Sequence, residues 1–164
     1  MRSITVRQVQ NDAEADTAGR ICETAYFADG FIEEEYRPTL RDGRSRARDA
    51  TLLVALDPDE RLVGTVTYVR PGGRYAEVSR PGEAEFRMLG VDPQAQGRGV
   101  GRALVQACID RARAERCIAL VMCTDVHMDT AQSLYRRMGF RRAPARDWVP
   151  TEVISLIAYE LALE

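Results

Sequence analysis

Three glycines alternate with other residues in one short stretch, Gln96-Gly97-Arg98-Gly99-Val100-Gly101. Glycine leaves the backbone N–H groups unscreened, so a ligand can approach the backbone closely there. The apolar residues that follow recur at a period near 3.6, which predicts a helix from Val100 onward. The first N–H groups of a helix lack internal partners and lie at the positive end of its dipole. The stretch therefore predicts a phosphate site, to which Arg98 and Arg102 add positive charge.

The residues before this stretch predict a strand that feeds directly into it. Ala84 to Val91 is largely apolar, and Asp92-Pro93 ends the strand because proline cannot donate to a ladder. Two familiar phosphate-binding patterns are excluded. The dinucleotide fingerprint requires a third glycine where Arg102 stands, and the Walker loop requires a lysine, which this chain lacks.

What remains is the pattern Q-x-x-G-x-G, which resembles the acetyl-CoA-binding motif of the GCN5-related N-acetyltransferases, the GNAT family. A second block, Ala131 to Phe140, reads A-Q-S-L-Y-R-R-M-G-F and resembles the family's second signature, A-x-x-L-Y-x-x-x-G-F. The resemblance covers essentially the whole chain and is sharpest from Glu85 to Phe140. It implies a single GNAT-like domain over residues 1–164 with an α/β (α+β) fold. That fold has a mixed central sheet of six to seven strands, helices on both faces, and splayed strands 4 and 5.

The resemblance also implies the cosubstrate, acetyl-CoA, and no metal. Pantetheine would pair with the strand backbone near Leu89 and Val91, and the N–H of Leu89 would face the thioester oxygen. Pyrophosphate would lie on the N–H groups from Gly97 to Arg102. The expected acetyl-CoA contacts are Leu89, Gly90, Val91, Gln96, Gly97, Arg98, Gly99, Val100, Gly101 and Arg102.

Two side chains match catalytic positions of the family. Tyr135 matches the tyrosine that protonates the departing thiolate, although packing alone could also explain it. Glu85 matches, by strand register, a glutamate that some members use as general base. A glutamate in an apolar strand needs a partner, so an exposed edge or an ion pair with Arg80 or Arg87 is the alternative.

The acceptor site is the least diagnostic part of the sequence. In the family, two helices after the first strand wall this site, which makes Tyr26, Phe27, Phe31 and Tyr36 candidates. Plain aromatic packing is the competing interpretation for each of them. Met128 and Cys123 stand where the family often has asparagine and where its protein N-terminal branch has glutamate, and both departures weaken an assignment to that branch. His127, the one histidine, lies beside them as a candidate proton relay or a solvated loop residue.

Composition excludes several other classes. A chain of 164 residues with a formal charge of −2 is long enough for one full core and is poorly suited to binding nucleic acid by phosphate neutralisation. No apolar run is long enough for a membrane span, and no signal peptide is evident, so we expect a cytoplasmic protein. The four cysteines contain no C-x-x-C pair and are expected to be reduced thiols.

The elements predicted around these motifs follow one another closely along the chain. The first half is predicted to hold a strand over 3–9, a helix over 13–26 that Asn11 or Asp12 can cap, a second helical piece over 31–40 disturbed by Pro38, and a polar segment over 41–50 that is either a helical turn or solvated. A hairpin over 51–56 and 62–69 and a long loop over 70–83 follow. After the α-helix of the glycine motif come a strand over 118–123, a helix ending at Gly139, a connection over 141–150 and a last strand over 153–163.

The expected function is transfer of an acetyl group from acetyl-CoA to a primary amine of a small molecule, by direct attack in a ternary complex. Two alternatives stay open: a catalytically silent module that keeps acetyl-CoA affinity, and a protein N-acetyltransferase. The expected partners are acetyl-CoA and a small amine acceptor, without nucleic acid or membrane, and with a homodimer as a further option.

Overall fold

A computed structural model describes residues 3–30 and 33–164, and within them seven strands form one sheet in the order β1-β2-β3-β4-β5-β7-β6. Neighbouring strands pair antiparallel, except that β4 and β5 are parallel. This confirms the predicted mixed sheet. The strands are β1 (Thr5–Gln8), β2 (Thr51–Leu56), β3 (Leu62–Val69), β4 (Glu83–Val91), β5 (Ala119–Asp125), β6 (Arg141–Arg142) and β7 (Leu156–Ala162).

Helices cover both faces of the sheet, as predicted. They are α1 (Asp12–Asp29), α2 (Arg37–Arg41), α3 (Gly43–Asp49), α4 (Val100–Ala114) and α5 (Asp129–Arg137). Successive residues of β2 point to opposite faces, so Leu53 packs in the cluster with α4 while Leu52 and Val54 pack in the cluster with α1. Burial of apolar side chains on both faces stabilises the sheet as a two-sided core.

The predicted apolar face of α4 is confirmed residue by residue. All six positions are buried: Val100, Leu104, Val105, Cys108, Ile109 and Ala112. The buried stripe fixes the helix on the sheet, so its first turn stays beside the end of β4.

Helix α1 begins with the cap that the sequence predicted and ends later than predicted. The side chain of Asn11 accepts a hydrogen bond from the N–H of Glu14, and Gly30 ends the helix in the left-handed conformation with φ of 74°. The prediction stopped at Tyr26 because Ala28-Asp29-Gly30 looked like a break, whereas only the glycine interrupts the helix.

The segment between α1 and β2 differs more from the sequence prediction. The predicted piece over 31–40 begins outside the described residues, and the described part is a 3₁₀ turn (Glu34–Tyr36) followed by α2. Pro38 lies in the first turn of α2, where its missing N–H costs nothing, so it starts the helix rather than disturbing it. For 41–50 the helical alternative is confirmed by α3, and the solvated alternative is wrong for Arg46, which is fully buried and donates to the carbonyl oxygen of Thr39.

The C-terminal part adds one strand that the sequence did not reveal. β6 is only two residues long and lies in the segment predicted as a connection. The last strand begins at Leu156 rather than residue 153, after Trp148 has paired once with Leu156. In the described ranges, every helix is too short or too polar to cross a membrane.

Candidate active site

A cleft of about 1030 Å³ opens where two neighbouring strands separate. Strands β4 and β5 pair only from Glu83 opposite Ala119 to Glu85 opposite Val121, and both then continue without pairing to each other. Residues 86–91 of β4 and 122–125 of β5 line the opening. The predicted splay of strands 4 and 5 is therefore present, and it leaves backbone groups of two strands facing one cavity.

A β-bulge reorients β4 inside this opening. Thr67 of β3 lies opposite Arg87 while Thr65 lies opposite Gly90, so β4 carries one extra residue, and Met88 takes a φ of 57°. Phe86 packs with α4, but Met88, two residues on, packs with Cys22 of α1 on the opposite face. The bulge thus breaks the normal alternation within the part of β4 that no longer pairs with β5.

The glycine end of the cleft, which we define as residues 96–102, has the geometry of an anion site. Gly97 and Gly99 have φ of 79° and 81°, and a Cβ at either would meet no protein atom within 4 Å. Gly99 precedes α4 and provides no side-chain cap, so the first N–H groups of the helix lack an internal partner beside this open space. The glycines therefore serve the turn and leave room for a ligand.

The other predicted cofactor positions divide between the cleft and solvent. Leu89, Gly90, Val91, Gln96, Val100, Gly101 and Arg102 line the cleft with these glycines. Arg98 is exposed and is not among the described lining residues. Gly101 differs from its neighbours, because a Cβ there would make ordinary contact with Leu134, 3.4 Å away, so backbone strain does not require glycine at that position.

Tyr135 lies in the wall of the cleft on α5. Its ring is packed edge-on against Phe86 and Phe140, and the side chain is almost fully buried. None of the hydrogen bonds found over 3–30 and 33–164 uses its hydroxyl. Burial raises the pKa of Tyr135, so the phenol keeps its proton at neutral pH and can donate into the cleft.

Glu85 is placed differently from what a general base requires. The side chain is fully buried, and it is absent from the described lining of the cleft. Its carboxylate accepts hydrogen bonds from the N–H groups of Glu77, Val78 and Ser79 and from the Ser79 hydroxyl, at 2.8 to 3.4 Å. The structure therefore uses Glu85 to hold the loop between β3 and β4, and neither alternative partner, Arg80 or Arg87, is hydrogen-bonded to it.

A carboxylate from that loop enters the cleft instead. Glu77 lines the cavity and forms an ion pair with Arg87, Oε1 to Nε, at 2.8 Å. Arg87 also donates to the hydroxyl of Tyr36 and to the carbonyl oxygen of Tyr75, each at 2.9 Å. Burial raises the pKa of Glu77, and neighbouring Glu85 raises it further against the opposing effect of Arg87. We call the part of the cleft lined by Glu33, Glu35 and Glu77 the acidic end.

The predicted acceptor residues are only partly brought together. Tyr26 and Tyr36 line the cleft. Phe27 is not among the described lining residues; its ring is 50% exposed, with the Arg37 guanidinium 4.0 Å from the ring centroid. Tyr26 and Phe27 are neighbours on a helix and therefore point about 100° apart, so one faces the cleft and the other faces away. Phe31 lies outside the described residues.

Three further residues line the cleft where β5 ends: Cys123, Asp125 and His127. Asp125 accepts a hydrogen bond from the N–H of His127 and lies 3.1 Å from its Nδ1, and the His127 side chain is 71% exposed. Burial raises the pKa of Cys123 to about 12, with Glu77 and Glu85 adding to the effect. Cys123 is therefore a neutral thiol at physiological pH and a weak nucleophile.

Sequence reasoning missed the acidic end because its members are far apart in the chain. Glu77 and Arg87 lie in different elements, and the Arg87–Tyr36 contact spans 51 positions. One signal was available: the loop over 70–83 is long for a strand connection, and long loops often carry function. The bulge also left a signal, because the apolar alternation of β4 changes phase between Met88 and Leu89.

A family comparison agrees with this geometry. Residues 18–140 match the model of the Acetyltransferase (GNAT) family. The chain belongs to the GNAT family. Among solved GNAT-fold structures, a GCN5-related N-acetyltransferase from Kribbella flavida superposes with a TM-score of 0.71 at 25% identity, covering 98% of each chain. The putative acetyltransferase yncA from Salmonella typhimurium, solved with acetyl-CoA, gives a TM-score of 0.67 at 20% identity, covering 98% of this chain and 94% of that one.

Curated relatives align with only part of the chain. A mycothiol acetyltransferase from Arthrobacter sp. (strain FB24) is 40% identical over 94 residues, which is 57% of this chain and 28% of that protein. The N-alpha-acetyltransferase RimI of Mycobacterium tuberculosis is 42% identical over 97 residues, which is 54% of this chain and 57% of that protein. The alignment thus spans little more than a quarter of the mycothiol enzyme and just over half of RimI.

Proposed function

We propose that this protein transfers an acetyl group from acetyl-CoA to the primary amine of a small molecule, by direct attack in a ternary complex. The observation that carries the proposal is the cleft between β4 and β5. It joins an open glycine turn at the start of α4 to a buried tyrosine hydroxyl and a carboxylate. Such a cavity can hold a phosphate-bearing thioester at one end and an amine at the other.

The glycine end supports the cofactor assignment. Pyrophosphate would lie on the N–H groups of Gly99 to Arg102, where the α4 dipole and Arg102 favour negative charge. Pantetheine would run between the strands, and the N–H of Leu89, next to the bulge, would donate to the thioester oxygen. The solved relative with acetyl-CoA has the same fold, which is consistent with this placement.

Tyr135 would act as general acid in this site. Acetyl transfer releases a thiolate, which needs a proton, and the Tyr135 hydroxyl is protonated and has no other described partner. Direct attack is favoured over an acetyl-cysteine route because burial raises the pKa of Cys123, the cysteine among the described lining residues, to about 12.

A hydrogen bond across the cleft bears on the size of the acceptor that can enter. The Thr151 hydroxyl donates to Glu33 Oε1 at 2.6 Å, which ties the segment after α1 to the segment before β7. Both residues line the cleft, so a peptide chain could pass between them only if this contact opened. A small amine needs no such opening. A second candidate function is acetylation of a protein N-terminus, and the observation in its favour is the similarity of part of the chain to RimI.

A CoA-release assay tests the proposal directly. The protein is incubated with acetyl-CoA and, separately, with ethanolamine, phenethylamine, spermidine, lysine or short peptides with free amino termini. We expect thiol release that depends on a small amine, and a product heavier by one acetyl group. Release with peptides alone would favour the protein N-acetyltransferase. Acetyl-CoA binding by calorimetry without release with any acceptor would identify a silent binding module.

A further inference from the structure

Only one of the two oxygens of the Glu77 carboxylate is paired with a described protein group. Its Oε1 pairs with Arg87, while its Oε2 takes part in no hydrogen bond within the described part of the chain. The side chain is 19% exposed, and the residue lines the cleft. A carboxylate with one oxygen fixed and one oxygen turned to a cavity is oriented for a ligand that carries hydrogen-bond donors.

Four partly buried hydrogen bonds fix the backbone that carries this carboxylate. Glu85 accepts the N–H of Glu77 itself at 3.0 Å, together with those of Val78 and Ser79. Arg87 binds the carbonyl oxygen of Tyr75 on the other side. Hydrogen bonds to a charged acceptor are the stronger kind, and here they act in a buried setting. The loop is therefore held in one position at the cleft wall.

Other acidic groups of the cleft are less suited to a reacting amine. Glu35 is exposed, and Glu33 is bonded to Thr151. Asp125 already accepts from His127. The Glu77 side chain is only 19% exposed and its residue lines the cavity, and it lies beside β4 at Arg87, just before the bulge where the thioester is proposed to lie.

We propose that Glu77 receives the ammonium group of the acceptor and takes its proton, and that Glu85 acts as a positioning residue beneath it. This inference rests on the proposed function and replaces Glu85 as the base. The titratable groups that face Glu77 are Arg87 and Glu85 on β4, Tyr36 on the 3₁₀ turn and Cys123 on β5. Burial raises the pKa of Glu77 towards the range in which a carboxylate is an effective base.

The protons balance as follows. An N–H bond of the ammonium group breaks and an O–H bond forms on Glu77, which leaves a neutral amine. The amine nitrogen forms a bond to the thioester carbon, the C–S bond breaks, and the thiolate takes the Tyr135 proton. The second proton on nitrogen restores the Tyr135 phenol, and Glu77 releases the first to solvent. One amine hydrogen remains on the amide.

The test is the pH profile of kcat/KM for Glu77→Gln, using the panel amine that gives the fastest CoA release with the wild type. We expect a loss of about 100-fold at neutral pH, in the range of general-base contributions. Above the pKa of the amine, which for an alkylamine is near 10.4, the loss should shrink to a few-fold because the amine no longer needs a base. Acetyl-CoA affinity by calorimetry should equal that of the wild type.

Glu34→Gln is the matched control, since Glu34 is an exposed neighbour of the acidic end and does not line the cleft. It removes the same charge and should leave the profile unchanged. An unchanged profile in Glu77→Gln, or an equal loss at every pH, would overturn the inference while the proposed function stands. A wild type that binds acetyl-CoA but releases no CoA with any acceptor would overturn both.

Discussion

The two ends of the cleft are built in opposite ways. The glycine end comes from one continuous stretch, in which β4, the turn and α4 follow one another from Glu83 to Ala114. The acidic end is assembled from the segment after α1, which carries Glu33 and Glu35, and the loop before β4, which carries Glu77. Glu33 is in turn bonded to Thr151, 118 positions further along the chain. A site made from contiguous backbone can be read from a sequence pattern, whereas a site made from distant side chains cannot.

The chemistry of the ligands explains this difference. Phosphate is the same in every acetyl-CoA, and backbone N–H groups can bind it whatever the surrounding side chains are. Acceptors differ, so their recognition depends on side chains such as Glu77 and Arg87 whose positions are set by tertiary contacts. The predictions that follow test whether the two ends can be damaged separately.

The largest effect is expected at the glycine end, for Gly99→Val. Valine is strained at a φ of 81°, and its side chain would enter the space left for phosphate. Losing two hydrogen bonds to a charged group, at about 2 kcal/mol each, corresponds to roughly a 10³-fold rise in the acetyl-CoA Kd. Calorimetry measures this change in the acetyl-CoA Kd.

Gly72→Val is the control for backbone strain. Gly72 also has a φ of 81° and open space around it, but it lies in the loop before β4 and does not line the cleft. Its acetyl-CoA Kd should stay within a few-fold of wild type. Equal losses in both variants would mean that strain, rather than a blocked phosphate site, weakens binding.

A smaller effect is expected where the two ends meet, for Tyr135→Phe. This change keeps the ring among Phe86 and Phe140 and removes only the hydroxyl. We expect kcat to fall by about 100-fold, as for loss of a general acid, with acetyl-CoA affinity nearly unchanged. Steady-state kinetics and calorimetry on the same preparation separate the two quantities.

Tyr159→Phe gives the matched comparison. Its ring lies 6.2 Å from that of Tyr135, but its hydroxyl is bonded to Gln132 and Arg136, and the residue does not line the cleft. That variant should lose some stability and keep its kcat. Full turnover in Tyr135→Phe would show that Tyr135 only packs.

The sequence predicted what depends on periodicity and local backbone chemistry. The buried face of α4, the Asn11 cap and the splay of β4 and β5 all follow from local patterns or from the family resemblance. The placement of Glu85 could not be predicted in the same way. Strand register shows that a glutamate is buried, but it does not show whether a cavity or a returning loop satisfies its oxygens. Here the loop does.

Arg46 and Phe27 show the same limit from two other directions. A polar, arginine-rich segment looks solvated, yet Arg46 is buried because its guanidinium reaches the carbonyl oxygen of Thr39, seven positions earlier in the chain. The family resemblance makes Phe27 a candidate wall residue, but the turn of α1 directs it away from the cleft that Tyr26 lines. In both cases helix phase and tertiary contact, rather than residue type, decide the environment.

The smallest expected effect concerns the support beneath the acidic end. Ser79→Ala removes the hydroxyl that donates to Glu85 at 2.8 Å and keeps the amide hydrogen bonds of the same loop. A hydrogen bond to a charged acceptor contributes about 2 kcal/mol, so the free energy of unfolding should fall by up to about that much. If part of this loss releases the Glu77 side chain from its position, the acceptor KM should rise by up to about 30-fold, since 1.4 kcal/mol corresponds to tenfold.

The control for this last change is Ser45→Ala, because the Ser45 hydroxyl also donates to a carboxylate, that of Asp42, at 2.6 Å. This bond lies outside the cleft, beside the α3 cap in which Asp42 accepts from the Ser45 N–H, so its loss should lower stability and leave the acceptor KM and the acetyl-CoA Kd unchanged. Comparing Ser79→Ala with Ser45→Ala separates the effect of where the lost hydrogen bond lies from the effect of losing a hydrogen bond to a carboxylate. Ser79→Ala should change the acceptor KM without changing the acetyl-CoA Kd, because no loop residue from 77 to 79 belongs to the glycine end. A parallel change in both constants would show that the loop supports the whole cleft, and the two ends would then have to be treated as one unit.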